Sequence, residues 1–157
     1  MPLPSILRQV VSGGQTGVDR AALDAAAAIR LPIGGWCPRG RKAEDGPIDL
    51  QYPLQETRSA AYPVRTRWNV RDSDGTLILH CGPLTRGTHL TREIAEELGK
   101  PHLCVDIDMQ DEEAVEQILA WIRDHRIEVL NVAGPRESSL PGVYDRASHL
   151  MRKLLTA

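Results

Sequence analysis

The stretch VVSGGQTGVDRAALDAA, residues 10–26, constrains the fold more than any other part of the chain. A short apolar run ends at Val11, a glycine-rich loop occupies residues 12–17, and a helical pattern begins at Val18. The small apolar residues that follow recur at helical spacing and form one face. That face consists of Val18, Ala21, Ala22, Ala25, Ala26 and Ile29. A strand, a glycine turn and a closely packed helix are typical of the first unit of a parallel α/β sheet.

The same alternation continues to the end of the chain. Strands are predicted at residues 6–11, 33–37, 76–80, 102–106 and 128–132, with a helix between each strand and the next and one after the last. Residues 38–56 are predicted to be a long loop. Hydrophobic residues make up 41% of the chain and charged residues 25%, as in ordinary globular proteins. We expect an α/β fold: a single Rossmann-like domain over residues 1–157, with an open, mainly parallel sheet of about five strands and helices on both faces.

Composition argues against two kinds of partner. The formal net charge is −2, and three Trp, three Tyr and no Phe are present, so nucleic acid is not expected as a partner. No apolar run approaches the length of about 18 residues that spans a membrane, so no membrane partner is expected. The cysteines Cys37, Cys81 and Cys104 lack zinc-site spacing and suit reduced thiols, which favours a cytoplasmic location.

Three loops rich in small and polar residues each follow a predicted strand and precede a predicted helix. They span residues 12–17, 81–88 and 133–142. Because the carboxyl ends of parallel strands meet at one edge of a sheet, these loops are predicted to lie along one crevice, where such folds bind ligands. The sequence therefore indicates a shared small-molecule site rather than three unrelated turns.

The first loop, SGGQTG, is predicted to contact a phosphate. Adjacent glycines allow positive φ and a concave row of backbone N–H groups, and the helix that follows offers its N-terminus. The GGxxG spacing is neither a P-loop nor GxGxxG. A tight turn beneath a closely packed helix explains the glycines equally well, and this alternative stays open. The predicted contacts are Ser12, Gly13, Gly14, Gln15, Thr16 and Gly17.

Further ligand contacts are predicted from the other loops and from nearby charges. For the threonines, the alternative is plain helix capping, and for the arginines it is a charge in a solvated loop. Asp19 is predicted to contact a sugar hydroxyl, and the alternative is that it only complements the helix dipole. These predicted contacts are Asp19, Arg39, Arg41, Thr85, Arg86, Gly87, Thr88 and Gly134. No GxSxG, HExxH or Ser/His/Asp set is recognised, so no catalytic residue and no metal ligand is predicted, and Cys37 and Cys81 have no assigned role.

Four stretches carry a family resemblance. They are SGGQTGVDRAALD at 12–24, GWCPRGRKAEDG at 35–46, RTRWNVRDSDGTLI at 65–78 and GTHLT at 87–91. Together they resemble the putative molybdenum-cofactor carrier family over roughly residues 8–155. That family belongs to the SLOG superfamily of Rossmann-like proteins, with lysine-decarboxylase-like and DNA-processing proteins as distant relatives. The resemblance implies a pocket for a phosphorylated nucleotide-like or pterin-like ligand, molybdenum cofactor (molybdopterin) as cargo, and a homo-oligomer, dimer or tetramer.

One branch of the superfamily hydrolyses nucleotides at the N-glycosidic bond and carries a PGGxGTxxE motif. The matching stretch here is PLTRGTHLT, in which Thr91 stands where the motif has its acid, and Glu93 lies about 200° further round a helix. Two functions therefore stay open: a binding protein for a phosphate-bearing small molecule, which we favour, and a nucleoside monophosphate N-glycosidase (phosphoribohydrolase).

Overall fold

The computed structural model describes residues 6–157 of the chain. Its strands are β1 (Gln9–Val11), β2 (Ile33–Gly34), β3 (Trp36–Cys37), β4 (Lys42–Ala43), β5 (Gly46–Pro47), β6 (Gln55–Glu56), β7 (Gly75–His80), β8 (His102–Asp106) and β9 (Val129–Ala133). Its helices are α1 (Val18–Ala28), α2 (Tyr62–Arg71), α3 (Arg86–Glu97), α4 (Asp111–Asp124) and α5 (Val143–Leu155). None of the helices in this part of the chain is long and apolar enough to cross a membrane.

The central sheet has five parallel strands in the order β2-β1-β9-β7-β8. Helix α5 packs against α1 and α4 on one face, and α2 packs against α3 on the other. The larger core lies beneath α1, α4 and α5, and a smaller cluster of Val70, Ile94 and Ala95 joins α2 to α3. The predicted fold class, an open parallel α/β sheet covered by helices, is confirmed.

The order of the strands reverses at the centre of the sheet. From β1 the chain crosses through α1 to the outer strand β2, whereas β7 leads through α3 to the opposite edge, β8. Strand β9 then returns to lie between β1 and β7. This reversal leaves a crevice at the carboxyl ends of these three strands, the usual ligand position in open α/β sheets.

The run predicted as one strand at residues 33–37 is two strands in the structure. Only Ile33 and Gly34 pair with β1, and Trp36–Cys37 pair with β6 in a separate two-stranded sheet. The break falls at Gly35, which has a φ of 127° and packs so closely on the backbone of Ser12 that a side chain would collide with it. A left-handed residue at this point turns the chain out of the central sheet.

Residues 38–56, predicted as a loop, contain the β4–β5 hairpin and the strand β6. The guanidinium group of Arg41 organises this segment by donating hydrogen bonds to backbone carbonyls across it. Its acceptors are the carbonyl oxygens of Ile48, Asp49, Tyr52 and Leu54, at 2.9, 2.8, 2.7 and 3.1 Å. Ile48, Tyr52 and Leu54 in turn bury their side chains with Leu23 of α1. The segment is therefore an ordered subsidiary layer rather than an irregular connection.

The carboxylate of Asp24 fastens this layer to the helices. The hydroxyl of Tyr52 donates to Asp24 Oδ1 at 2.7 Å, and the hydroxyl of Tyr144 on α5 donates to Asp24 Oδ2. Burial and the neighbouring Asp24 raise the pKa of Tyr52, so this hydroxyl stays a donor at any physiological pH. One side chain on α1 thus connects the inserted segment with the last helix.

We expect Arg41→Ala to lower the free energy of unfolding by about 2–4 kcal/mol, because several partly buried carbonyls lose a charged donor at once. Arg39→Ala is the matched control, since the Arg39 side chain is exposed, and its effect should stay within about 0.5 kcal/mol. Urea denaturation measures both. Equal effects of the two substitutions would show that the Arg41 contacts do not stabilise the fold.

Candidate functional site

A cavity of about 440 Å³ lies at the carboxyl ends of β1, β7 and β9. The three loops singled out in the sequence all contribute to its wall. The predicted contact residues that line it are Gly13, Gln15, Asp19, Thr85, Arg86, Gly87, Thr88 and Gly134. The structure therefore brings residues that are more than a hundred positions apart in the chain to one site, as the shared edge of a parallel sheet requires.

Helix α2 supplies a wall of the cavity that the sequence reasoning missed. Its lining residues are Tyr62, Pro63, Arg65, Thr66 and Asn69. Four of these recur at helical spacing and form a polar face, which reads as an ordinary solvent-facing side of a helix. The same pattern is produced by a helix that turns its polar side toward a cavity. Another part of the lining comes from β9 and the loop that follows it: residues 131–133, Pro135, Arg136 and Ser139.

Three backbone amides of the first glycine loop are already used within the protein. The amide of Gly14 donates to Ser12 Oγ at 3.3 Å, that of Gln15 to Asp19 Oδ2 at 3.2 Å, and that of Thr16 to Gln15 Oε1 at 3.0 Å. These three groups do not form the open row of donors expected from the sequence. The loop closes on its own side chains instead.

Two other segments, around Glu44 and around residues 137–138, form hydrogen bonds with this loop or with each other beside it. Thr16 donates its hydroxyl to Glu44 and accepts the amide of Glu137 at 3.1 Å, while Ser138 donates its hydroxyl to Glu44 at 2.5 Å. These donors hold the pKa of the Glu44 carboxyl below its usual value.

Gly17, at a φ of 80°, packs directly on the backbone at Pro135 and leaves no room for a side chain. The glycine here serves a close approach of two loops.

A buried ion pair joins the first loop to α2. Arg65 Nη1 lies 3.3 Å from Asp19 Oδ2, and the Asp19 side chain is only 8% exposed. Burial raises the pKa of Asp19, although the charge of Arg65 and the amide of Gln15 oppose the rise. The Arg65 guanidinium group lies where a side chain at Gly13 would have to be. Only a glycine at position 13 therefore leaves room for Arg65. The buried Nε of Arg65 has no hydrogen-bond partner among residues 6–157.

The N-terminus of α3 opens toward the cavity without a side-chain cap. Thr85 occupies the N-cap position, but its hydroxyl makes no capping hydrogen bond and instead lies 3.0 Å from the hydroxyl of Thr88. The amides in the first turn of a helix have no partner within the helix. A Cβ at Gly87 would meet nothing within 4 Å, so a ligand can approach this turn closely. Capping, the alternative reading of these threonines, is not what they do.

Several predicted contact residues do not line the cavity. Gly14, at a φ of 73°, would direct a side chain toward Leu54 and Ile48, at 2.5 and 3.0 Å, and away from the crevice. Arg41 is engaged by backbone carbonyls, and Arg39 is exposed on the surface. The predicted residues outside the lining are Ser12, Gly14, Thr16, Gly17, Arg39 and Arg41.

Comparison with known families agrees with the fold. The model of the circularly permutated YpsA SLOG family matches residues 10–155. The chain belongs to this family. The crystal structure of a protein from Syntrophus aciditrophicus SB, described as "Putative molybdenum carrier protein", superposes with a TM-score of 0.94 at 44% sequence identity, covering 97% of this chain and 96% of that one. No curated protein matches significantly. The family resemblance seen in the sequence is therefore confirmed.

The raised pKa of Asp19 predicts a pH dependence of stability. Between the unfolded pKa of about 3.9 and the higher folded value, the folded state holds a proton that the unfolded state has lost, so stability falls as pH rises through this window. Asp19→Asn lacks this titration. Urea denaturation between about pH 4 and pH 7 should show wild type losing stability relative to Asp19→Asn. A relative gain with rising pH would mean that Arg65 dominates and lowers the pKa of Asp19.

Proposed function

We propose that the chain binds a phosphate-bearing small molecule with a flat polar ring, nucleotide-like or pterin-like, and acts as its carrier. The observation that carries this proposal is the uncapped N-terminus of α3, which faces a cavity whose wall also includes three arginines, Arg65, Arg86 and Arg136. Free helix amides together with the helix dipole favour an anion at this position. The first glycine loop then serves as the rigid opposite wall.

The anionic end of the ligand would lie against the first turn of α3. Gly87 permits close approach to the amides, and the exposed Arg86 can add a charged donor. Each charge-assisted hydrogen bond contributes roughly 1.5–3 kcal/mol. A few such bonds reach about 8 kcal/mol, which corresponds to micromolar affinity.

The ring of the ligand would lie against the apolar and aromatic part of the lining. That surface comes from Tyr62, Leu90, Val132 and Pro135. Asn131 lies at the same wall and donates its amide group to Thr76 at 3.2 Å, which leaves its carbonyl oxygen as an acceptor. The volume of about 440 Å³ falls in the range of small-molecule sites.

Molybdenum cofactor is the named candidate for the cargo. The support is the description of the S. aciditrophicus protein as a molybdenum carrier, together with its 44% identity to this chain. The organic part of this cofactor is a phosphorylated pterin, which combines the anionic group and the flat polar ring that the cavity suits. A cytoplasmic carrier of this kind needs binding groups and no nucleophile.

We expect Gly87→Val to weaken binding of guanosine 5′-monophosphate at least tenfold, because the branched side chain would cover the α3 amides. The melting temperature should stay close to that of wild type, since the added atoms meet open space and glycine is a poor helix residue. Isothermal titration calorimetry measures the affinity, with guanosine as the ligand that lacks phosphate.

The matched control is Gly82→Ala, at a glycine that also has open space around it but lies outside the cavity lining. It has positive φ, so a small loss of stability with unchanged affinity is expected. Molybdenum and oxidised pterin measured on protein purified from cells would identify the cargo. Equal affinity of wild type and Gly87→Val for the nucleotide would refute the anion position at α3.

The N-glycosidase alternative is favoured by one observation, the buried carboxylate of Asp19 in the cavity. Among the described residues that line it, Asp19 is the sole acid. Thr91, at the position of the motif's acid, is buried and donates to the carbonyl of Gly87 at 3.0 Å, and Glu93 is exposed beside His89. Hydrolysis would have water attack the sugar C1′ while the base departs with a proton.

Incubation with nucleoside monophosphates and chromatography of the free base test this alternative. Under the carrier proposal, we expect no release above the rate without protein. Release that is lost in Asp19→Asn would establish the N-glycosidase and replace the carrier as the function of this cavity. Release that is equal in wild type and Asp19→Asn would point to a contaminating enzyme.

A further inference from the structure

Two buried side chains in the cavity wall carry hydrogen-bonding groups that the protein itself does not use. Asp19 and Gln15 both line the cavity, and each is only 6% exposed. Polar groups buried to this degree normally have a partner, because an unsatisfied one is costly. Groups of this kind that open onto a cavity therefore point to a ligand with matching donors and acceptors.

The carboxylate of Asp19 is held by one oxygen and open at the other. Oδ2 accepts the amide of Gln15 at 3.2 Å and lies 3.3 Å from Nη1 of Arg65. These two donors fix the direction of the carboxylate. Oδ1 accepts no hydrogen bond from residues 6–157, and it is not sealed in the interior as Nε of Arg65 is. Asp19 therefore presents one charged acceptor to the cavity.

The side-chain amide of Gln15 presents a donor from the same wall. Its Oε1 accepts two backbone amides, that of Thr16 at 3.0 Å and that of Glu44 at 2.9 Å. Two N–H groups directed at one atom identify that atom as the oxygen, so the orientation of the side-chain amide is fixed. Nε2 has no acceptor within the described part of the chain and keeps its N–H groups for the cavity.

We propose that Asp19 and Gln15 select the ring of the ligand by binding an edge on which an amino group, a ring N–H and a carbonyl oxygen lie side by side. The amino group and the ring N–H donate to Asp19, and the carbonyl oxygen accepts from Gln15. Guanine and pterin share this amino-oxopyrimidine edge. This assignment rests on the proposed function and narrows its ligand from flat polar rings in general to one class.

Other common rings match this pair of groups less well. Adenine and cytosine have an unprotonated ring nitrogen next to the amino group, and that nitrogen would face the Asp19 carboxylate as a second acceptor. Hypoxanthine has the carbonyl and the ring N–H but no amino group. A sugar hydroxyl, the contact predicted for Asp19 from the sequence, would leave the donor of Gln15 unused. A site built from buried polar groups rejects ligands that leave those groups unpaired.

The charges of the cavity orient the ligand in the same way. Asp19, the sole acid among the described lining residues, lies in the first turn of α1, after β1, whereas the proposed anion position lies at the first turn of α3, after β7. Strand β9 separates β1 from β7, so the two positions are offset by two strand spacings, about 10 Å. A phosphate is repelled by Asp19 and attracted by α3, and the far edge of the ring then meets Asp19 and Gln15.

Titration calorimetry with four phosphorylated ligands tests the ring edge on the wild-type chain. Guanosine monophosphate and neopterin monophosphate carry the complete edge, inosine monophosphate lacks the amino group, and adenosine monophosphate has the reversed pattern. We expect at least one of the first two to bind at least tenfold more tightly than either of the last two. The tighter of the first two identifies the source of the ring as nucleotide or pterin. Measurements at about pH 8 keep Asp19 ionised, since burial raises its pKa.

Asp19→Asn distinguishes recognition of the ring from a structural role. The amide oxygen of asparagine can still accept from Gln15 and Arg65, which directs its NH2 group into the cavity as a donor in place of an acceptor. Affinity for guanosine monophosphate should fall at least tenfold. Xanthosine monophosphate, which has a carbonyl in place of the amino group, should bind more tightly to the variant than to wild type.

Asp145→Asn is the matched control. It also removes an acid from the first turn of a helix, α5, but at an exposed position outside the cavity lining. It should leave both affinities unchanged. If thermal melting shows that Asp19→Asn is unfolded, the wild-type ligand series decides by itself.

Any of three results would overturn the assignment of the ring edge. Equal affinities of the four ligands in wild type, with all of them weakened in Gly87→Val, would reject the ring edge and leave the proposed anion site standing. No binding of any of the four would reject both. Equal losses of affinity for the guanosine and xanthosine ligands in Asp19→Asn would mean that Asp19 only supports the wall of the cavity.

Discussion

The buried ion pair between Asp19 and Arg65 is the contact on which the candidate site depends. It joins the first turn of α1 to the middle of α2 across the crevice, at 3.3 Å. The same carboxylate accepts the amide of Gln15, and the carbonyl of Asp19 accepts the hydroxyl of Ser12 at 2.9 Å. The conformation of the glycine loop is therefore set by its hydrogen bonds to Asp19 in the first turn of α1. A charge pair so poorly exposed is costly to form and costly to break, which suits a wall that must keep its shape.

This arrangement separates two properties that glycine-rich loops often combine. The loop after β1 has the glycines of an anion cradle, yet the amides of Gly14, Gln15 and Thr16 are satisfied by side chains of the loop and of α1. The first turn of α3 has a single glycine, and its amides lack a side-chain cap. Electrostatics thus favours the first turn of α3 over the glycine loop as the position of an anion, because unpaired N–H groups bind an anion and paired ones do not.

The sheet and its order of elements were predictable because burial on both faces makes parallel strands continuous apolar runs. The prediction for β8 has the observed bounds, and that for β7 differs by the single residue Gly75. The interruption at Gly35 was not predictable, since the apolar pattern continues through it and only contact with Ser12 breaks the strand. The role of Arg41 was also hidden, because its acceptors are backbone carbonyls that no side-chain pattern reveals.

By itself, the sequence determined the class of fold, the family and the edge of the sheet at which the cavity lies. These follow from local periodicity and from glycines next to strands, which act over a few residues. Only the tertiary structure decided which donors are open, that α2 forms a wall of the cavity, and that Gly13 makes room for Arg65. Those properties depend on contacts between side chains that are dozens of positions apart in the chain. Whether a donor has a hydrogen-bond partner is decided by such contacts and not by either segment alone.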